Sequence, residues 1–296
     1  MGQSTRYDFL QYVKEYACYD LFIISNNGDV VYTVAKEGDL GKNLVTGNLA
    51  KSPLGEAFQR GKQKTSIIDF KWYDISNEPT SFVAGPIKAN DGSNIGVLVY
   101  QISLKAVNII MQEHSGMGET GEIFLVGEDK RMRSDSYLDP AGHSVKASFD
   151  GIVKNNGVDT EASRDALAGN TDAKIVIDYN NNPVLSAYTP VKIGNFDWAL
   201  MAEIDEAEVM QPVNKLGWEI LIIGIIIAVL NTIETIVFSR SLAKPLEKVV
   251  EFAKKMAEGD LNATINLDQK DKIGILANAL VNMKNKLAEV VENVQM

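Results

Sequence analysis

Residues 217–241, "GWEILIIGIIIAVLNTIETIVFSRS", constrain this chain more than any other stretch. From Trp218 to Phe238 nearly every side chain is Ile, Leu, Val, Ala or Gly, and no proline interrupts the run. As a helix of about 21 residues it reaches roughly 31 Å, the thickness of a bilayer's hydrocarbon core. Only a helix can satisfy all of its own backbone groups in that setting. Apolar residues on every face distinguish the run from a one-sided surface helix, and its late position excludes a cleaved signal peptide. Trp218 marks one interface, and Arg240 and Lys244 follow the other end. The sequence therefore expects residues 240 onward in the cytoplasm and residues 1–217 outside. Asn231 and Glu234 share a helix face close to the end of the run. There a carboxylate can snorkel or face a partner helix.

An outer N-terminal region needs a way across the membrane, yet "MGQSTRYDFLQYVKEYACYD" reads as the end of a polar amphipathic helix. The expectation is a chain whose first span lies upstream of Met1 and whose final heptads continue beyond "AEVVENVQM".

Of 296 residues, 39 are acidic and 29 basic, for a net charge of −10. Residues 240–296 carry nine basic and eight acidic groups, so the negative charge lies before the span. An acidic outer region argues against nucleic acid and offers no basic patch to anionic lipid. Cys18 is the only cysteine, which rules out an internal disulfide and a cysteine-based metal site. His114 and His143 have no metal-site spacing, so neither metal nor cofactor is expected.

The outer region repeats itself. "YDLFIIS", the turn "NNGD" and "VVYTVA" form a hairpin pattern. A short helical segment "SPLGEAFQRG" follows, then three strands, "KTSIIDF", "TSFVAGPI" and "NIGVLVYQI". Residues 121–205 repeat the order. "GEIFLVG" and "MRSDS" form the hairpin, "DTEASRDALAG" the helix, and "AKIVIDY", "PVLSAYTPV" and "WALMAEI" the strands. Asp159 or Thr160 caps that helix and Gly169 stops it. In "RMRSDS", Arg133 and Asp135 fall on one face of a strand, as an ion pair or turn lock would. "SLKAVNIIMQEHSG" is a helical connector between two α+β modules in tandem.

After the span, Leu242, Leu246, Val249, Ala253 and Met256 recur at heptad spacing. So do Ile273, Leu276, Leu280, Met283, Leu287, Val290 and Val294, which gives two bundle-forming helices. Pro245 sits in the first turn of the first helix, Gly259 ends it, and Leu261, Ile265 and Leu267 anchor the connector.

The repeated order over residues 19–205 resembles the double Cache (dCache) sensor domain of bacterial transmembrane receptors. "GETGEIFLVGEDKRMRSDS" and "PVLSAYTPV…DWALMAEIDEAE" are similar to methyl-accepting chemotaxis proteins. Two short heptad helices with a "GDL" connector, over residues 240–294, resemble a HAMP domain. The HAMP pattern Asp-Glu-Ile-Gly reads here Asp271-Lys272-Ile273-Gly274. The fold implied is α+β, with tandem PAS-like modules, one transmembrane helix and a helical coiled-coil module. Its expected boundaries are an N-terminal helix end at 1–18, a membrane-distal module at 19–112 and a membrane-proximal module at 113–205. A stalk at 206–217, a span at 218–239 and HAMP at 240–294 complete the order.

The resemblance implies a homodimeric receptor of the bacterial inner membrane. It would bind a small extracellular molecule and signal through HAMP to a cytoplasmic domain outside this chain. The alternative is the input half of a histidine kinase or nucleotide cyclase. No nucleophile elbow, zinc-protease pair or phosphate-cradling loop is present, so no enzyme is expected here. A pocket for a small polar molecule needs aromatic walls and convergent polar groups. Lys71, Trp72, Tyr73 and Asp74, with Tyr100 and Gln101 at the end of the last distal strand, are the candidates. In amino-acid-binding relatives a tyrosine and an aspartate occupy positions like those of Tyr73 and Gln101. Here the second is neutral, and no Arg-x-Trp-Tyr motif precedes it. Pro245, Gly259, Leu261, Ile265, Ile273 and Gly274 are the expected signal-transmission residues.

Overall fold

The computed structural model describes residues 3–295. Met1, Gly2 and Met296 lie outside the described residues, as does the side chain of the seam position Val294. The chain divides into two compact units, one ending at Gln211 and the other starting at Pro212.

The first unit is α+β. Helix α1 (Gln3–Glu15) precedes strands β1 (Cys18–Ser25) and β2 (Val30–Thr33), followed by α2 (Pro53–Gly61). Strands β3 (Ser66–Tyr73), β4 (Glu78–Lys88) and β5 (Asn94–Ile102) complete an antiparallel sheet of order β2-β1-β5-β4-β3. Helix α3 (Leu104–Met111) leads to the second module, which opens with β6 (Glu122–Val126). Three short helices follow, α4 (Val145–Asp150), α5 (Val153–Asn156) and α6 (Glu161–Leu167). Strands β7 (Asp172–Ile177), β8 (Pro183–Ile193) and β9 (Phe196–Asp205) close a second antiparallel sheet of order β6-β9-β8-β7.

Alternation decides what each sheet buries. On β1, Asp20, Phe22 and Ile24 share the inner face, and all three are shut off from solvent. Helix α2 covers that face with Leu54, Ala57 and Phe58. It starts where the sequence places it, since Ser52 Oγ accepts the Gly55 N–H at 3.1 Å and Pro53 fills the first turn. Helix α6 has the expected cap as well, with Thr160 and Ser163 bonding each other's backbone.

The second hairpin departs from expectation. "MRSDS" makes one isolated bridge, Val126 to Met132, and no strand. Its polar groups are taken by other partners. Ser134 Oγ accepts the Leu125 N–H at 3.0 Å, and Asp135 accepts the Val145 N–H at 2.7 Å and the Asn108 amide at 2.7 Å. Arg133 does not pair with Asp135. Its guanidinium makes two bonds to Asp69 of β3, at 2.8 and 2.7 Å, and a third contact to Asp129 at 2.9 Å. A Cβ on Gly127 would lie 2.2 Å from that guanidinium, so a side chain there would displace the fork.

Helix α7 (Glu206–Phe238) begins six residues before the second unit and runs unbroken through the expected stalk and span. It is long and apolar enough to cross a membrane, and none of its side chains is buried within the chain. A π-helical turn (Ser239–Ala243), α8 (Lys244–Ala257) and α9 (Lys272–Gln295) follow. Val249, Phe252, Ala263 and Ala277 are buried in this unit.

Replacing Arg133 by alanine strands Asp69 and leaves a void beside Phe149, whose ring lies 5.4 Å from the guanidinium. Removing one partner of a buried pair is expensive, so the variant is expected to lose about 3 kcal/mol in denaturant unfolding followed by Trp fluorescence.

Candidate ligand site and signal-transmission helices

Strand β3 extends through Tyr73, so successive residues of the "KWYD" segment point to opposite sides. Tyr73 turns inward and is fully buried. Its hydroxyl donates to Asp39 Oδ2 at 2.8 Å, and its ring meets Phe82 edge-on at 5.5 Å. Gln101, on β5, stands opposite Phe82 of β4 and Asp20 of β1 and is likewise buried. Its Nε2 donates to Ser76 Oγ at 3.1 Å. Tyr73 and Gln101 thus share the inner face of the first sheet.

The other candidates lie elsewhere. Lys71 is exposed and paired with Glu56 of α2 at 2.5 Å. Trp72 faces the opposite side from Tyr73, with Lys146 Nζ 5.9 Å from its ring. Asp74 is exposed just beyond β3. Tyr100 faces away from Gln101 and stacks on Tyr12 of α1 at 5.8 Å.

Sequence reading missed the acids that surround Tyr73 and Gln101. Asp20 is buried, and its carboxylate accepts the Leu21, Val34 and Ala35 N–H groups at 2.7 to 2.9 Å, together with the Thr33 hydroxyl. Its signal was present, an acid on the inward face of "CYDLFIIS". Asp39 lies in a loop and had no such signal. Burial pushes its carboxyl up, the Tyr73 bond opposes this, and the charges of Asp20 and Glu37 push further. Glu37 accepts from Tyr19 at 2.6 Å and from Ser76 at 3.3 Å.

Two buried acceptors in this cluster, Asp39 Oδ1 and Gln101 Oε1, have no hydrogen-bond partner among the described residues. A buried acceptor left without a donor is unfavourable by about 1–3 kcal/mol. The inner face of the first module is therefore short of donors and rich in negative charge.

The family model described as Cache domain, dCache_1, matches residues 3–213. The chain belongs to the Cache domain family. Residues 237–289 match the HAMP domain. A probable chemoreceptor of Sinorhizobium fredii, y4sI, is 26% identical over 197 residues, 66% of this chain and 24% of its own length. The methyl-accepting chemotaxis protein McpA of Bacillus subtilis is 26% identical over 233 residues, 78% of this chain and 32% of its own. This chain thus spans about a quarter to a third of those two relatives. Among solved structures, the ligand-binding domain of the Pseudomonas aeruginosa amino acid chemoreceptor PctB, in complex with L-Arg, aligns at a TM-score of 0.46 and 15% identity. That alignment covers 71% of this chain and 81% of the other.

In the HAMP segment, Pro245 is buried in the first turn of α8. It has no N–H for the Ser241 carbonyl, the acceptor four residues back in an unbroken α-helix. Gln269 of the connector donates to that carbonyl at 3.1 Å. Asp271 caps α9, its Oδ1 accepting the Ile273 and Gly274 N–H groups, both at 3.0 Å. Any Cβ at Gly274 would lie 1.8 Å from the Gln269 carbonyl oxygen. Gly259 ends α8 at φ +90°. Leu261, Ile265 and Ile273 are half-buried, whereas the seam residues Leu242, Leu246, Leu276, Met283 and Leu287 stay exposed in the single chain.

Tyr73→Phe removes the one donor to Asp39 Oδ2, and Asp39→Asn removes the charge that the hydroxyl serves. Thermal unfolding of the two variants and their combination forms a cycle, and a coupling of about 1–2 kcal/mol is expected.

Proposed function

We propose that this chain is the input half of a dimeric membrane receptor. Its Cache modules lie outside the cytoplasm and bind a small polar molecule, and its HAMP helices pass the response inward. One observation carries the reading: a sensor domain and a signal-converting module lie on either side of a single membrane-length helix, in one continuous chain. The Arg240/Lys244 flank of the span supports the orientation. The exposed seams of α8 and α9 support a second copy, because two short helices alone cannot bury two heptad faces. The receptor's output then belongs to a cytoplasmic signalling domain that the HAMP helices address.

The ligand site we propose is the inner face of the distal module, with Tyr73 and Gln101 at its centre and Asp39 beside them. Lys71, Trp72, Asp74 and Tyr100 lie outside it. Two acceptors without donors favour a ligand rich in N–H or O–H groups, and the surrounding carboxylates favour a cationic one. Helix shifts at interfaces are small, about 1–2 Å, so the signal would bias a HAMP bundle between two near-equal packings.

A thermal-shift panel of amines, amino acids and organic acids tests the site. At a hundred times its dissociation constant a true ligand adds about 2.7 kcal/mol of stability. Compounds with an ammonium group are expected to stabilise the protein, and Gln101→Ala is expected to weaken them by about 1–3 kcal/mol. Stabilisation by carboxylates alone, or indifference to Gln101→Ala, would move the site elsewhere.

Topology and assembly have a separate test in a Cys18→Ser background. In intact cells an impermeant thiol reagent is expected to label Ser93→Cys and to spare Asn285→Cys. Oxidation is expected to cross-link Leu246→Cys into a covalent dimer. Labelling of Asn285→Cys alone would reverse the orientation, and a monomeric Leu246→Cys would remove the bundle.

A further inference from the structure

The second Cache module buries two carboxylates side by side. Glu122 of β6 and Glu203 of β9 stand directly opposite each other in the ladder, and each is 3% exposed. They share the inner face with Phe124 and Met201, two residues along each strand. Directly opposed residues of an antiparallel pair have Cα atoms about 4.5–5.5 Å apart. Glu122 is well served: Tyr179 donates to its Oε1, and Ser136 Oγ (2.7 Å) and the Tyr137 N–H (3.1 Å) donate to its Oε2. Glu203 accepts one bond among the described residues, from Ser186 Oγ of β8 at 2.7 Å.

Among the described residues no cation faces the pair, and the bases of this module are committed elsewhere. Lys174 stands opposite Ser186 on β7, but its Nζ binds Glu161 at 2.7 Å and Asp165 at 3.4 Å. Arg133 is held by Asp69 and Asp129, and Arg131 by the Ser148 carbonyl. His143 lies on the Tyr179 ring, with centroids 4.1 Å apart, and its Nδ1 contacts Asp139 at 2.7 Å. The β7–β8 turn adds Asp178, another acid. Two carboxylates so placed, away from water and without a cation, cannot both ionise cheaply.

We propose that Glu122 and Glu203 form a proton-binding site through which the second Cache module registers the acidity of its surroundings and reports it along β9 into α7. The placement suits the output. Glu203 lies three residues before Glu206, where β9 passes into α7 without a loop. In the first turn of α7, Glu208 accepts the N–H groups of Glu119 and Thr120 at 2.9 and 2.8 Å, in the segment that leads into β6. Both strands of the pair are therefore tied to the start of the same helix. A second negative charge on the pair pushes β6 and β9 apart where α7 begins.

The Glu203 carboxyl is pushed up to about 7, chiefly by burial. The Ser186 bond opposes the shift, and the charges of Asp178 and Glu122 add to it. A carboxyl raised in the folded state stabilises it fully below the unfolded value, about 4.3. That contribution is lost as the pH rises through about 7.

The full chain in lipid nanodiscs, with protons as the only probe, tests this between about pH 5 and about pH 8.5. Carboxyl-resolved NMR of carbon-13 glutamate reads the titration. Hydrogen exchange at residues 118–122 and 203–208, corrected for its intrinsic pH dependence, reads the response. One glutamate is expected to titrate near pH 7 and to vanish in Glu203→Gln. Exchange in both segments is expected to rise several-fold over the same range in the parent chain and to stay flat in the variant. Glutamates that all titrate in the ordinary range would overturn the proposal, as would a neutral-range titration with exchange unmoved. Should Glu203→Gln fold poorly, Ser186→Ala serves instead. It removes the bond that favours the carboxylate, so the midpoint must rise, and an unchanged midpoint would equally overturn the proposal. Tyr73→Phe in the distal module leaves the titration intact, which separates this result from the fate of the small-molecule site.

Discussion

Arg133 joins the two Cache modules, and its position depends on a chain of local conditions. The guanidinium is almost out of water, which is tolerable only because Asp69 from the first sheet and Asp129 from its own turn meet it. A fork of two parallel bonds to Asp69 fixes direction as well as charge. Gly127 leaves room for the fork, and Phe149 covers its face. Around this anchor, Phe70 of β3 packs against Trp198 of β9, with ring centroids 6.1 Å apart. The modules share a hydrophobic seam as well as an ion pair, so a change in one can strain the other.

Much of this was legible in the sequence. Strand-forming runs between turn signals gave the strands, the Asp159-Thr160 pair gave one helix start, and an unbroken apolar run gave α7. The second hairpin was not legible, because pairing in "MRSDS" loses to side-chain bonds whose partners lie far along the chain. Asp69, for example, is 64 residues from Arg133. The candidate site was legible in part. Tyr73 and Gln101 could be named because aromatic and amide groups at strand ends stand out. Asp39 could not, since a loop acid looks solvated until the fold closes over it.

Both modules place carboxylates on the inner face of a sheet, yet the local chemistry differs. Asp20 is saturated by backbone N–H groups and acts as a clasp for the β1–β2 hairpin and its following turn. Asp39 and Gln101 keep acceptors open. Glu203 has one hydroxyl donor and a like-charged neighbour. A saturated acid stiffens its surroundings, whereas an undersupplied one leaves free energy that a donor or a proton can release.

The passage from β9 into α7 at Asp205–Glu206 has no loop to absorb a change in length. Strand residues alternate with a period of two, while each helical residue turns the chain by about 100°. One residue inserted at that junction would turn every downstream face of α7 by that angle while leaving the sheet in register. Seven inserted residues complete about two turns and nearly restore the phase. A seven-residue insertion at this joint therefore disturbs the facing of α7 far less than a single-residue one.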